Sequence, residues 1–196
     1  VRSDDWNRRY AESGLVWGAA PNRFLVAETE DIAPGRALDL ACGEGRNALW
    51  LAERGWEVTA VDYAEVALDK ARRIAARRGV APTLVHADVT AWEPPARAFD
   101  LVLVLYLQIP AAERRVVLER AAAAVAAGGT FLLVGHDLRN LSEGHGGPQD
   151  PDLLFTPEQI AAELPGLEVV KAERVLRQVD GAERPAIDAL VRARRP

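Results

Sequence analysis

Apolar and polar positions along the chain fall into two alternating rhythms. Short apolar runs at Ala37–Cys42, Glu57–Val61, Thr83–Ala87, Leu101–Leu105 and Thr130–Gly135 read as strands with apolar residues on both faces. Between them, Arg46–Glu53, Glu65–Arg78 and Ala111–Ala124 have helical character. In the second of these, Val66, Leu68, Ala71, Ile74 and Ala75 gather on one side against Arg and Lys on the other, and Gly79 supplies the stop. Strand–helix alternation with doubly apolar strands predicts a parallel sheet covered by helices on both sides.

The last third of the chain breaks the rhythm. A Gly- and Asp-rich loop over 136–152 leads to a helix starting at Thr156-Pro157-Glu158, where threonine can cap and proline suits the first turn. Two strand-like segments follow, Leu167–Gln178 and Ala186–Arg194, joined around Asp180-Gly181 as a hairpin. Two short helical pieces, near Ser3–Glu12 and Pro21–Ile32, precede the first strand. The expected fold is therefore α/β: a doubly wound, mostly parallel seven-stranded sheet with a C-terminal antiparallel hairpin. It forms a single domain over 1–196, with 1–34 a helical cap and 35–196 the core.

Composition narrows the classes. With 49% hydrophobic and 27% charged residues, 196 residues suffice for one soluble globular domain. Acidic residues outnumber basic ones 29 to 24, for a net charge of -5, which argues against a nucleic-acid partner. A single cysteine allows neither an internal disulfide nor a cysteine-built metal site, and a reducing cytoplasm is the expected compartment. The longest apolar run, Phe99–Leu107, is short for a membrane span and is broken by Asp100.

The chemistry concentrates at strand ends. Asp39-Leu-Ala-Cys-Gly43-Glu-Gly45 lies at a strand-to-helix junction, where glycines let backbone amides approach a ligand. Gly43-x-Gly45-x-x-Ala48 also satisfies the dinucleotide fingerprint, so the glycines alone do not choose between cofactors, and a plain tight turn would show the same pattern. Asp39 interrupts an apolar strand, a position that calls for a partner such as a ligand ammonium. Asp62 closes the second strand, placed to accept hydrogen bonds from ribose hydroxyls, with Tyr63 next to it for adenine. His86-Ala87-Asp88-Val89 closes the third, where Asp88 could accept from an adenine amino group. Asp62 or Asp88 taken alone reads better as a turn residue or helix cap. Three at successive strand ends, with the glycines between, are harder to assign to turns.

With these residues the chain resembles the class I, Rossmann-like methyltransferases dependent on S-adenosylmethionine. Their first motif, acidic-x-Gly-x-Gly-x-Gly, stands here as Asp39-Leu-Ala41-Cys-Gly43-Glu-Gly45, departing only in Ala41. Within that family the chain looks most like small bacterial members related to the tellurite-resistance and thiopurine or thiol methyltransferases. The resemblance implies S-adenosyl-L-methionine as cofactor and S-adenosyl-L-homocysteine as product. It also implies that Asp39, Ala41, Gly43 and Gly45 surround the methionine part, with Asn47 counted beside them. Asp62 would take the ribose, Tyr63 would pack on adenine, and Ala87, Asp88 and Val89 would fix its edge. Trp6, Tyr10, Trp17 and Asn22 lie in the segment that folds over the cofactor in such enzymes, with Trp17 and Asn22 counted as contacts.

Tyr106 closes the fourth strand, where the family lines the space between sulfonium and acceptor. Candidate general bases are His136, Tyr106 and His145, of which His136 at the end of the fifth strand is best placed; a strand-end histidine bonded to backbone is an equal alternative. The loop Ser142–Pro148 could close over the site or be a passive connection. The expected activity is methyl transfer to a small-molecule acceptor, a thiol or chalcogen compound by resemblance, in a monomer or homodimer without membrane, nucleic-acid or metal partners. Alternatives are a NAD-dependent oxidoreductase, against which Asp39, Asp88 and the closing hairpin weigh, and a non-catalytic cofactor-binding protein that kept the fold.

Overall fold

The computed structural model describes residues 3–12, 14–16 and 18–196. Two short helices, α1 (Ser3–Glu12) and α2 (Arg23–Thr29), precede an alternating core. It runs β1 (Arg36–Leu40), α3 (Arg46–Ala52), β2 (Glu57–Asp62), α4 (Glu65–Arg78), β3 (Thr83–His86), β4 (Phe99–Leu105), α5 (Ala111–Ala124) and β5 (Val125–His136). A helical turn α6 (Asn140–Glu143), a short 3-10 turn (Pro151–Leu153) and α7 (Pro157–Ala162) then lead to β6 (Glu168–Arg177) and β7 (Ala186–Arg194). The seven strands lie in the order β3-β2-β1-β4-β5-β7-β6. Neighbours among β1 to β5 pair in parallel, while β7 inserts antiparallel between β5 and β6.

The periodicity places most elements to within a residue or two, and α4, α5 and β7 on the bounds read from sequence. Gly79 ends α4 in the left-handed conformation, φ 68°, its N–H donating to the Ala75 and Ala76 carbonyls. Thr156 and Gln159 close a reciprocal capping box at the start of α7, which the Thr-Pro-Glu signal did not reveal in full. β5 is the main departure. Its pairing begins at Val125, and Gly128 and Gly129 lie within a strand that sequence starts only at Thr130.

Two cores sandwich the sheet. Leu38, Leu40, Val102, Val104, Phe131 and Leu133 face one side, with α5 and Ile160 of α7. Ala37, Ala60, Leu101, Leu103, Leu132 and Leu190 face the other, with Leu25 of α2, Leu51 of α3 and Leu68 of α4. Because side chains alternate along a strand, this second set also fixes where the polar residues point. Asp39 follows Ala37 by two, Asp62 follows Ala60, His136 follows Leu132 and Val134, and Asp188 precedes Leu190. All four therefore lie on the α2–α3–α4 face. The strand order reverses between β1 and β4, so their carboxyl ends form the crevice where doubly wound sheets take ligands.

Candidate active site

β1 delivers the chain into a turn that no ordinary sequence adopts cheaply. Ala41, Gly43 and Gly45 all have positive φ, at 59°, 56° and 77°. Glycine takes this conformation freely, and a Cβ on Gly45 would also press on the Cβ of Ala71 at 3.1 Å. Ala41 stands in the left-handed region with a side chain, at a cost of about 1 kcal/mol. Ala41→Gly is accordingly expected to raise stability by a few tenths to about 1 kcal/mol in urea unfolding, the relief being offset in part by the freer unfolded chain.

Asp62 holds this turn together. Its Oδ2 accepts from the Gly43 N–H at 2.7 Å and its Oδ1 from the Ala64 N–H at 2.8 Å. Burial raises its pKa even so, against the pull of those hydrogen bonds. Asp39 is 1% exposed and its Oδ2 has no hydrogen-bond partner. Burial first, and then the charge of Asp62, push its pKa to about 7, while Arg46 and the Ala48 N–H pull the other way. A buried carboxylate with an orphaned oxygen beside a glycine turn is the kind of feature that a cationic ligand group would satisfy. Cys42, between them, is buried, and burial with Asp39 and Asp62 nearby pushes its thiol well up, which suits packing rather than reactivity.

The other candidate cofactor contacts are spread along the same edge. Tyr63 is half-buried against the cluster of Tyr10, Ala64 and Ala67, and its hydroxyl is pushed up to about 12 by burial, Asp62, Asp88 and Asp5. Ala87 donates its N–H to the Asp62 carbonyl, Val89 is buried, and Asp88 is exposed with Oδ1 holding the N–H and hydroxyl of Thr90. Asn22 caps α2, its side chain accepting from Phe24 and Leu25, while its own N–H donates to Asn47 Oδ1 at 2.8 Å. Both asparagines are buried and hold the cap segment to α3. Trp17 lies outside the described residues. Sequence reading missed the second tie: Glu44, 3% exposed, pairs with Lys70 at 3.0 Å and accepts the Val16 N–H at 2.9 Å. Partners 26 and 28 residues away along the chain leave no local signal.

At the ends of β4 and β5 stands a second polar cluster. Tyr106 follows β4 with φ 57°, another strained non-glycine position. Its hydroxyl donates to Asp188 Oδ2 at 2.7 Å, and Arg177 Nε reaches the same oxygen at 2.8 Å and the tyrosine oxygen at 3.0 Å. Burial and Asp188 drive the Tyr106 hydroxyl well above its usual range. The reading of Tyr106 as a general base is therefore corrected: a hydroxyl that donates to a buried carboxylate keeps its proton. His136 stacks edge-on against it, ring centroids 5.3 Å apart, with Nδ1 3.2 Å from Asp188 Oδ1. Burial would raise the Asp188 pKa, but the contacts from His136, Arg177 and Tyr106 outweigh it and hold the group anionic. His145 is exposed on the loop.

The loop after β5 is tied down rather than loose. Asn140 accepts the Ile187 N–H at 2.8 Å and donates to the Gly146 carbonyl at 2.7 Å, and Asp137 takes Arg139 N–H and pairs with Arg174. A depression of about 430 Å³ lined by Pro34, Asp100, Gly128 and Thr130 lies at the opposite end of the sheet, away from every one of these groups.

The sheet order with its closing antiparallel pair and the glycine turn after β1 define the class I, Rossmann-like methyltransferase fold. Residues 37–129 match a family described as a methyltransferase domain. Over 76 residues the chain is 45% identical to demethylmenaquinone methyltransferase of Thermus thermophilus, covering 38% of this chain and 34% of that enzyme. It thus spans about a third of that curated relative. N-methyltransferase NodS of Bradyrhizobium japonicum, solved with S-adenosylhomocysteine, superposes with a TM-score of 0.74 at 20% identity over 100% of both chains. TehB of Haemophilus influenzae gives 0.75 at 18% identity, covering 92% of this chain and 64% of that one.

Proposed function

We propose that the protein transfers a methyl group from S-adenosyl-L-methionine to a small-molecule acceptor. The observation that carries this reading is Asp39, a sealed carboxylate with an orphaned oxygen at the switch-point turn, which a cofactor's amino-acid ammonium would neutralise. Asp39, Ala41, Gly43 and Gly45 would hold the methionine part, Asp62 the ribose, and Tyr63, Ala87, Asp88 and Val89 the adenine, with Trp17, Asn22 and Asn47 belonging to the covering segment. Asp62 and Asp88 each keep lone pairs beyond those used within the chain. When bound, the cofactor supplies a methyl group on a sulfonium, released with the carbon–sulfur electron pair remaining on sulfur.

The chain's own part is positioning and exclusion of water. Asp39 anchors one end of the ligand, the strained turn brings backbone close to it, and the polar cluster at Tyr106 and His136 faces the acceptor side. Support for a small acceptor comes from the acidic net charge of -5, which weighs against a nucleic-acid one. A thiol or chalcogen acceptor would need no residue that handles a proton, and the strand-end cluster gives it no particular support.

Isothermal titration of the purified chain with S-adenosylmethionine, S-adenosylhomocysteine and NAD tests the reading. Binding of both adenosyl ligands and none of NAD is the expected result. A preference for NAD, or no adenosyl binding, would sink it.

A further inference from the structure

We propose that Asp188 is the positioning residue of a proton-accepting pair in which His136 is the base, so that the acceptor is an oxygen or nitrogen nucleophile that gives up a proton as it is methylated. This rests on the methyl-transfer reading and adds to it a residue on β7 and the chemical class of acceptor.

The argument begins with the two oxygens of Asp188, which is wholly buried. Oδ2 is occupied twice, by the Tyr106 hydroxyl at 2.7 Å and Arg177 Nε at 2.8 Å. Oδ1 is left with His136 Nδ1 at 3.2 Å, off the line of an ideal hydrogen bond, and both of these atoms are sealed from water. A bare Nδ1 lone pair facing a carboxylate oxygen at that distance would be repulsive, with no water to intervene. The proton of the neutral ring therefore sits on Nδ1.

That leaves Nε2 bare. It takes no hydrogen bond from the described residues and is not among the sealed atoms, in a side chain that is 10% exposed at the carboxyl end of β5. The ring cannot readily swing away. A Cβ at Gly147 would come within 2.9 Å of its Cγ, so the Asn140-stapled loop lies directly on the imidazole, and Tyr106 packs against its edge. Arg177 offsets the carboxylate charge when the ring is neutral. Once the ring is protonated, Asp188 lies beside the new cation.

In the proposed step a lone pair of the acceptor's oxygen or nitrogen forms the new bond to the methyl carbon as the carbon–sulfur pair stays on sulfur, and the pair of the broken O–H or N–H bond remains on the acceptor atom. The proton goes to His136 Nε2 and from there to solvent after release. A soft thiolate would leave this machinery idle.

Long-range 1H–15N correlation spectra of the full chain at about pH 8, where an ordinary histidine is neutral, read the tautomer directly. The His136 signal is assigned through His136→Gln. The expected result is a wild-type ring protonated at Nδ1 with Nε2 at the shift of a bare nitrogen, moving towards a mixture of tautomers in Asp188→Asn. A wild-type ring protonated at Nε2 overturns the proposal without any variant, and so does a tautomer unmoved by Asp188→Asn in a folded protein. Titration with S-adenosylhomocysteine separates the two readings: binding with the wrong tautomer removes only the acceptor assignment, and absent binding removes the methyl-transfer reading itself.

Discussion

Asp39→Asn is expected to stabilise the ligand-free protein at pH 8 while weakening S-adenosylmethionine at least tenfold, about 1.4 kcal/mol. The folded-state pKa of Asp39 lies near 7, well above the 3.8 of a free aspartate, because burial and the charge of Asp62 both disfavour its ionised form. A carboxyl raised in this way contributes its full stability below the unfolded value. That stability is lost as pH rises through about 4 to about 7, since the folded state then holds a proton that the unfolded chain releases. A shift of this size corresponds to an upper bound of about 4 kcal/mol, and an amide that keeps shape but carries no charge should recover about half of it. Urea unfolding at pH 5 and pH 8 measures the effect: the gain of the variant over wild type should be much larger at pH 8 than at pH 5, which lies near the start of the loss. A gain of equal size at both would show that packing, not charge, is responsible. The ligand side follows from the same group. An ammonium arriving beside Asp39 favours its ionised form, so binding near pH 6 should release a proton, visible as a dependence of the titration heat on the buffer.

Asp39 was legible in the sequence for a simple reason. A strand flanked on both sides by other strands and covered on both faces has no place for an idle carboxylate, and the apolar run Ala37–Leu40 made the interruption plain. The same reasoning applies to Asp188, between Ala186-Ile187 and Ala189-Leu190-Val191, but there it was not decisive. A closing hairpin is ordinarily half exposed, so an alternating Asp reads as its solvent face. Only the sheet order shows β7 to be interior, sandwiched between β5 and β6, which turns that Asp into a buried charge with partners. Arg177 was hidden in the same way, since its role depends on the register that brings the end of β6 beside the start of β7. Local rhythm thus predicted the elements and the residues at their ends. Contacts such as Glu44 with Lys70, or Asn22 with Asn47, depend on how helices dock and have no periodic trace.

Asp62→Ala should be the most damaging single change in the cofactor cradle, costing about 2–4 kcal/mol of stability and at least about 100-fold in S-adenosylmethionine affinity. Removing the carboxylate leaves the Gly43 and Ala64 N–H groups, now at 2.7 and 2.8 Å from its oxygens, without partners in a buried setting. Each such orphan costs about 1–3 kcal/mol. The loss is moderated because Asp62 is itself a poorly solvated anion whose pKa burial has raised, and because its charge is one of the two causes that push Asp39 up. Asp39 should therefore ionise at lower pH in the folded variant, so the pH-dependent loss of stability described above should start at the same pH, end at a lower one and be smaller in total. The two substitutions share one electrostatic interaction and will not add in the double variant. Asp62→Asn separates the contributions: its amide oxygen can still accept from one backbone N–H, so it should retain much of the stability while losing most of the affinity. Equal affinity in Asp62→Asn and wild type would mean that the carboxylate serves the turn alone and that the ribose is held elsewhere.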